Sequence, residues 1–458
     1  MNLLDLPPEL VAQIFAFVGP DDLAAKRPIC RALLPLTRRA LFRKVSLRTT
    51  SRLGRFHRLL HPTNARQSRG LRRTVKDDRP LGLNVREMHL PMVDYDSDDE
   101  NDHDDLKDCK SVRRILASTF EVEMLTLEGS ALLKLALPSK RSAFRFPNLR
   151  TLRVLDLDSN HSLLYDMNRF GRLRFWHALR TVEVALDPDL EDADDVAPPR
   201  RARALTHIKH LSLTAGVSLS TASAANFVSH FTALRSLTLT LVDLTELSLA
   251  LEAAPTTLTS LTIVFDIGVD WELGEDGIVL DPLIARFVNL TSLHLGERTF
   301  SSALFRVLSE SLPRLSTLHL ECGEHVDLAA SSLLEYLRAG GLSHLQTRGR
   351  SRGPLTQLTL DAFLTCIDLI PSEHPDRANV ADGTFRIDAW WILPNWTISF
   401  SLEDAREVVR VAGETGVRLE GTLLEAIEAE ELKVREEKYL QDRADDILLS
   451  LADLFSQC

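Results

Sequence analysis

Cysteine is scarce in this chain: 458 residues contain five, at Cys30, Cys109, Cys322, Cys366 and Cys458. They are widely spread and form no CxxC pair, which argues against a disulfide framework and against a zinc ribbon and fits a reducing compartment. Long apolar runs are also missing. No window of about 20 residues is both apolar and free of charge, so no membrane-spanning helix is expected. The first apolar stretch includes Asp5, Glu9 and Pro7-Pro8 and has no basic leader, unlike a signal peptide. Without secretion, the acceptor patterns at Asn289-Leu-Thr and Asn395-Trp-Thr carry no weight. Phosphate-cradling glycine loops, the GxSxG nucleophile elbow and the HExxH zinc motif are all absent. No catalytic residue, metal site or cofactor is therefore expected, and the chain reads as a binding protein rather than an enzyme.

What is present is a globular composition, 44% hydrophobic and 26% charged, with enough apolar residues for a sizeable core. The net charge of −11 is unevenly distributed. Residues 1–80 hold 17 Lys and Arg against 6 Asp and Glu, leaving 37 against 59 for the remainder. Residues 48–80 alone hold ten of the basic residues, either as a patch for an acidic partner or as a solvated connector and first-repeat helix.

The N-terminal segment reads as three short helices. Pro7 and Pro8 suit a first helical turn, and Leu10, Val11, Ile14, Phe15 and Val18 recur at spacings of three and four. Gly19-Pro20 ends that helix, Asp21 or Asp22 caps the next, and a third begins near Pro35. Lys44 to Leu47 then alternates like a strand. So small a module needs a partner or must pack as a cap on the C-terminal remainder of the chain.

The order Leu6-Pro7, Ile14-Phe15, Asp22-Leu23, Ile29-Cys30-Arg31 and Leu41-Phe42-Arg43-Lys44-Val45 resembles an F-box of the fungal type and covers about the first 47 residues. The resemblance implies docking on the Skp adaptor, and through it on the cullin, of an SCF-type ubiquitin ligase. Leu6, Pro7, Leu10, Ile14, Leu23, Ile29 and Cys30 would form the contact face, as hydrophobic anchors at helical spacing in an apolar groove. Lys26 and Pro28 depart from the family's apolar second helix, which implies weaker adaptor binding.

Beyond residue 80 one frame, apolar-x-x-apolar-x-apolar, recurs ten times. The copies begin at Val85, Val122, Leu149, Leu179, Ile208, Leu234, Leu258, Leu290, Leu315 and Leu355, at intervals of 24 to 40 residues. Most intervals lie near the leucine-rich-repeat period. The Asn or Cys that usually follows the frame is mostly missing, so the array is read as an irregular, leucine-rich-repeat-like solenoid. Each copy predicts a short strand, and the stretches from Ser301 to Leu312 and from Leu328 to Leu337 predict helices. Strand alternation turns the residue between the last two apolar positions toward the concave side. That gives a ladder of His89, Thr126, Arg153, Glu183, Ser212, Thr238, Thr262, His294, His319 and Thr359. Arg153 to His319 are the candidate partner-binding residues. The ladder is polar and of mixed sign, which fits a protein ligand and neither nucleic acid nor lipid. His294 and His319 fall in consecutive copies and could lie side by side, read as solvated side chains in preference to a metal-binding or pH-sensing pair.

Residues 94–108 carry nine acidic residues in fifteen and are expected to be a disordered insertion. Asp99 stands where a calcium loop needs glycine. Ser97, ahead of Asp98-Asp99-Glu100, suits an acidophilic kinase. Trp390, Trp391, Trp396 and Phe400 form an aromatic cluster, expected in the core near the end of the array rather than at a binding site. Residues 421–455 predict a long helix with a stripe of Leu440, Ala444, Ile447, Leu451 and Leu454.

The expected fold is thus α/β: a three-helix F-box at 1–47, a basic connector at 48–80, a leucine-rich-repeat-like solenoid at 81–420 and a C-terminal capping helix at 421–458. The expected function is substrate recognition in a ubiquitin ligase of the cytoplasm or nucleus. Its partners would be the Skp adaptor and a protein substrate, with no nucleic acid, membrane or second copy of the chain. The alternative is a protein-interaction scaffold without a ligase role.

Overall fold

The computed structural model describes residues 14, 40–47, 50–60, 81–90, 103–137, 146–157, 171–186, 204–215, 223–241, 244–265, 280–296, 300, 303–322, 330–346, 355–362 and 402–421, with scattered positions from 423 to 443. The chain divides into two compact units, Met1–Pro255 and Thr256–Cys458. Among the described residues the fold is α/β with twelve parallel strands. The first unit contains β1 (Lys44–Ser46), β2 (Glu87–Leu90), β3 (Met124–Glu128), β4 (Thr151–Leu157), β5 (Thr181–Leu186), β6 (His210–Ala215) and β7 (Ser236–Leu241), paired in chain order. The second contains β8 (Ser260–Phe265), β9 (Ser292–Leu295), β10 (Thr317–Cys322), β11 (Gln357–Ala362) and β12 (Arg418–Glu420), likewise in order.

All ten copies of the frame lie on strands, in a shared register within each unit. Leu125 pairs with Leu152, Leu211 with Leu237, and Leu293 with Leu318. The fourth and sixth apolar positions of every copy, from Met88 and Leu90 to Leu358 and Leu360, are no more than 2% exposed. Burying each such side chain is worth about 1.5–3 kcal/mol, enough to offset the ordering of its own residue. The first position is buried too, from Val85 to Leu355.

A turn precedes most strands. The amide of the first apolar residue donates to the carbonyl three residues back, as Leu149 does to Phe146, Leu179 to Trp176, Leu290 to Phe287 and Leu315 to Leu312. Phe146, Trp176, Phe287 and Leu312 are all buried, and Phe146 meets Trp176 edge-on with centroids 5.7 Å apart. The copies that begin at Leu149 and Leu179 therefore stack aromatic turns as well as strands.

The second position of the frame couples each copy to the next. The Arg150 carbonyl accepts the amides of Arg180 and Thr181, and the Arg180 carbonyl accepts those of Lys209 and His210. In the second unit Thr291 plays this part for Ser316 and Thr317. The two units furnish this position differently. In the first it is mostly basic (Arg86, Arg150, Arg180, Lys209, Arg235), and Arg180 Nη1 donates to the carbonyls of His177 and Leu179 at 2.8 and 2.9 Å. In the second the hydroxyls of Thr291, Ser316 and Thr356 donate to the carbonyls of Thr259, Thr291 and Ser316 at 2.9, 2.9 and 3.0 Å. Both choices satisfy carbonyls at the strand entrances, where an unpaired polar group costs free energy.

Helices fill the returns. The first unit has α1 (Thr50–Leu60), α2 (His103–Ser118), α3 (Ser130–Ala136), α4 (Ser223–Ser229) and α5 (Leu244–Ala253). The second has α6 (Asp281–Ile284), α7 (Leu304–Ser311), α8 (Ala330–Gln346) and α9 (Leu402–Thr415). Buried Glu246 of α5 accepts the Ala224 amide in the first turn of α4 at 3.1 Å, placing a carboxylate oxygen where helix amides have no partner of their own.

Several expectations change. The stretch expected to be disordered over 94–108 overlaps α2, which starts at His103; acidic residues are favoured in a first helical turn, so their density did not forbid one. Strand β12 was not anticipated. Gly416, at φ 73°, stands where the frame has its first apolar residue, because it ends α9 while the Val417 amide returns to the Ala412 carbonyl. Described positions from 423 to 443 are helical, but Leu440 of the expected stripe is 62% exposed, whereas Leu423 is buried. The anchor lies at the start of this segment, and the rest of the stripe falls outside the described residues. So do Trp390, Trp391, Trp396, Phe400, Ser97 and, apart from Ile14 and residues 40–47, the three N-terminal helices.

Candidate binding face

The parallel register places the ladder residues side by side. In the first unit Ser46 pairs with His89, His89 with Thr126, Thr126 with Arg153, Arg153 with Glu183, Glu183 with Ser212, and Ser212 with Thr238. In the second, Thr262 pairs with His294, His294 with His319, His319 with Thr359, and Thr359 with Glu420. From His89 to Thr238 and from Thr262 to His319 these residues are half-buried, between buried apolar side chains on either side. A strand presents alternate side chains to opposite faces, so one face of each unit is apolar core and the other is this polar row.

The row is internally paired. Arg153 Nε lies 2.6 Å from Glu183 Oε2. His89 Nε2 lies 2.5 Å from Glu128 Oε1, and its Nδ1 is 3.3 Å from the Ser46 hydroxyl. His294 Nε2 lies 2.7 Å from Glu321 Oε1, and the His294 and His319 rings stack with centroids 3.8 Å apart and planes 8° from parallel. Glu128 and Glu321 were missed from sequence although the signal was there: each stands two residues beyond a ladder position and so shares its face.

The remaining predicted site residues divide simply. Leu6, Pro7, Leu10, Leu23, Ile29 and Cys30 lie outside the described residues, while Ile14 occupies a helical position and is 39% exposed. Arg153 to His319 are brought into register within their own units.

His207, at the entrance to β6, has its pKa pushed below the ordinary histidine value, first by burial. A hydrogen bond to the Leu173 carbonyl opposes the shift, and the charges of Arg180, His177 and Lys209 add to it. With the folded pKa lowered, the stability His207 contributes is fully present above its unfolded pKa and is lost as pH falls through that value toward the folded one. The melting temperature should therefore drop between pH 7.5 and pH 5.5, and the drop should be smaller in His207→Asn. Equal drops in the two proteins would remove His207 from the account.

Among the described residues, no helix is long and apolar enough to cross a membrane. A scan against protein-family models and a search of curated proteins each found no match.

Proposed function

We propose that this chain is the substrate-recognition subunit of an SCF-type ubiquitin ligase. The F-box-like order of residues 6–47 carries the reading, because it precedes an array built for binding rather than catalysis. Leu6, Pro7, Leu10, Ile14, Leu23, Ile29 and Cys30 would seat in the Skp adaptor and through it join the cullin. The parallel strands then act as a leucine-rich-repeat-like solenoid, each copy burying its leucines against its neighbours. The polar row of each unit, Arg153 to Thr238 in the first and Thr262 to His319 in the second, would receive a protein substrate. Its mixed charge and half-buried side chains suit a protein surface and supply no continuous basic track for nucleic acid. No catalytic group is needed: holding the substrate near the ubiquitin-charged enzyme raises the effective concentration of its lysines. Such work belongs to the cytoplasm or nucleus.

Lys26 and Pro28 favour a second reading, a repeat scaffold that does not engage the adaptor. Direct binding of the purified full-length protein to the Skp adaptor separates the two. The ligase reading expects sub-micromolar affinity, lost in a Leu6→Ala/Pro7→Ala/Ile14→Ala variant that remains folded. No binding by the folded wild type would leave the scaffold.

A further inference from the structure

We propose that His294, His319 and Glu321 form a binding site for a divalent transition-metal ion of the zinc type. The three donors come from neighbouring strands of the second unit. His294 on β9 pairs in register with His319 on β10, and Glu321 follows His319 by two residues on the same face. One donor atom from each residue lies within 4.8 Å of the others. Two ligands on one zinc ion, each bonded at about 2.0–2.2 Å, stand between roughly 3 and 4 Å apart, so the donors need to close by only about an ångström. The stacked rings must tilt toward a common point. That motion is a rotation about a terminal sp³–sp² torsion, where the energy well is broad. A hydrogen bond of 2.7 Å now joins His294 Nε2 and Glu321 Oε1, so a proton occupies the place between nitrogen and oxygen that the ion would take.

The donor set defines the ion. Two imidazoles and a carboxylate suit zinc and its first-row neighbours, whereas calcium and magnesium prefer oxygen alone. Three protein ligands leave a fourth position for water or for a group from a partner. The donors are only partly exposed, at 23% for the His294 side chain and 18% for Glu321, and sit on strands whose backbones are fixed by pairing on both sides.

The first unit contains a natural control. His89 on β2 pairs with Thr126 on β3, and Glu128 follows Thr126 by two residues. His89 meets Glu128 as His294 meets Glu321. At the three donor positions the arrangements differ only in that threonine stands in the place of His319, leaving one imidazole and one carboxylate. His319→Thr therefore converts the second arrangement into a copy of the first. It should fold, because threonine already occupies this ladder position at Thr126, Thr238, Thr262 and Thr359.

The test is titration of the full-length protein with zinc ion by calorimetry in a competing chelator, and with cobalt(II) followed by visible absorption. Wild type should bind one more equivalent than His319→Thr and show cobalt bands that the variant lacks. Losing a direct ligand should weaken binding by roughly 100-fold or more, since even the outer partners of ligands cost 10–100-fold. His294→Ala should lose the same equivalent, and His89→Ala should retain it. Equal stoichiometry and affinity in wild type and His319→Thr, with both folded by circular dichroism, would overturn the proposal, whether the shared value is zero or reflects other donors.

Discussion

Trp176→Ala should lower the stability of the protein by about 3–5 kcal/mol, as expected for deleting a large buried aromatic side chain. Trp176 is 1% exposed and meets the Phe146 ring of the preceding copy edge-on. Its carbonyl closes the turn into β5 by accepting the Leu179 amide at 2.9 Å, and its own amide donates to Leu173 at the same distance. Removing the indole leaves a cavity between two turns that their closed hydrogen bonds prevent from collapsing fully. Against a usual net stability of about 5–15 kcal/mol, that is roughly a fifth or more of the total. Urea unfolding followed by circular dichroism should show a lower midpoint. Trp176→Phe should lose markedly less, because the smaller ring still fills most of the space. A loss below about 1 kcal/mol for Trp176→Ala, the size of an ordinary substitution, would mean the side chain does not hold the copies together.

Gly82→Ala should destabilise the first unit by about 1–3 kcal/mol through overpacking. An added Cβ would lie 2.0 Å from the Ser118 carbonyl oxygen and 2.9 Å from its carbon. That oxygen belongs to the last residue of α2, which cannot retreat without moving the helix end. Gly82 stands where later copies carry Phe146, Trp176, Phe287 and Leu312, since the Val85 amide turns back to its carbonyl. The backbone of Ser118 approaches so closely here that only glycine fits. Gly54 supplies the opposite case: it lies inside α1 with nothing within 4 Å of an added Cβ. Gly54→Ala should therefore stabilise by about 0.5–1 kcal/mol. Thermal melts of the two variants should move in opposite directions. Equal or reversed shifts would remove the contact with Ser118 as the reason for Gly82.

The strands were legible because leucine periodicity is a local signal that burial enforces. All ten copies of the frame lie on strands, and β1 is an eleventh, Phe42-x-x-Val45-x-Leu47, whose Val45 pairs with Met88. The turn position three residues earlier is just as regular in Phe146, Trp176, Phe231 and Phe287, but it lies outside the six-residue frame. The second position of the frame changes along the chain from mostly Arg and Lys to Thr and Ser. The change coincides with the division into units. β12 was not legible, because its first position is the glycine that ends α9. Leu440 misled in the opposite way: helical spacing gives a stripe, but only a neighbouring surface decides whether that stripe is covered.

The sequence by itself thus determined the α/β class, the strands that carry the frame and the face each ladder residue shares. These come from the two-residue period of a strand and the free energy of burying leucine. Only the tertiary structure decided which ladder residues touch. The stacking of His294 on His319 and the meeting of His294 with Glu321 across 27 positions depend on the register between strands. Backbone pairing sets that register, and intervals of varying length between the copies conceal it.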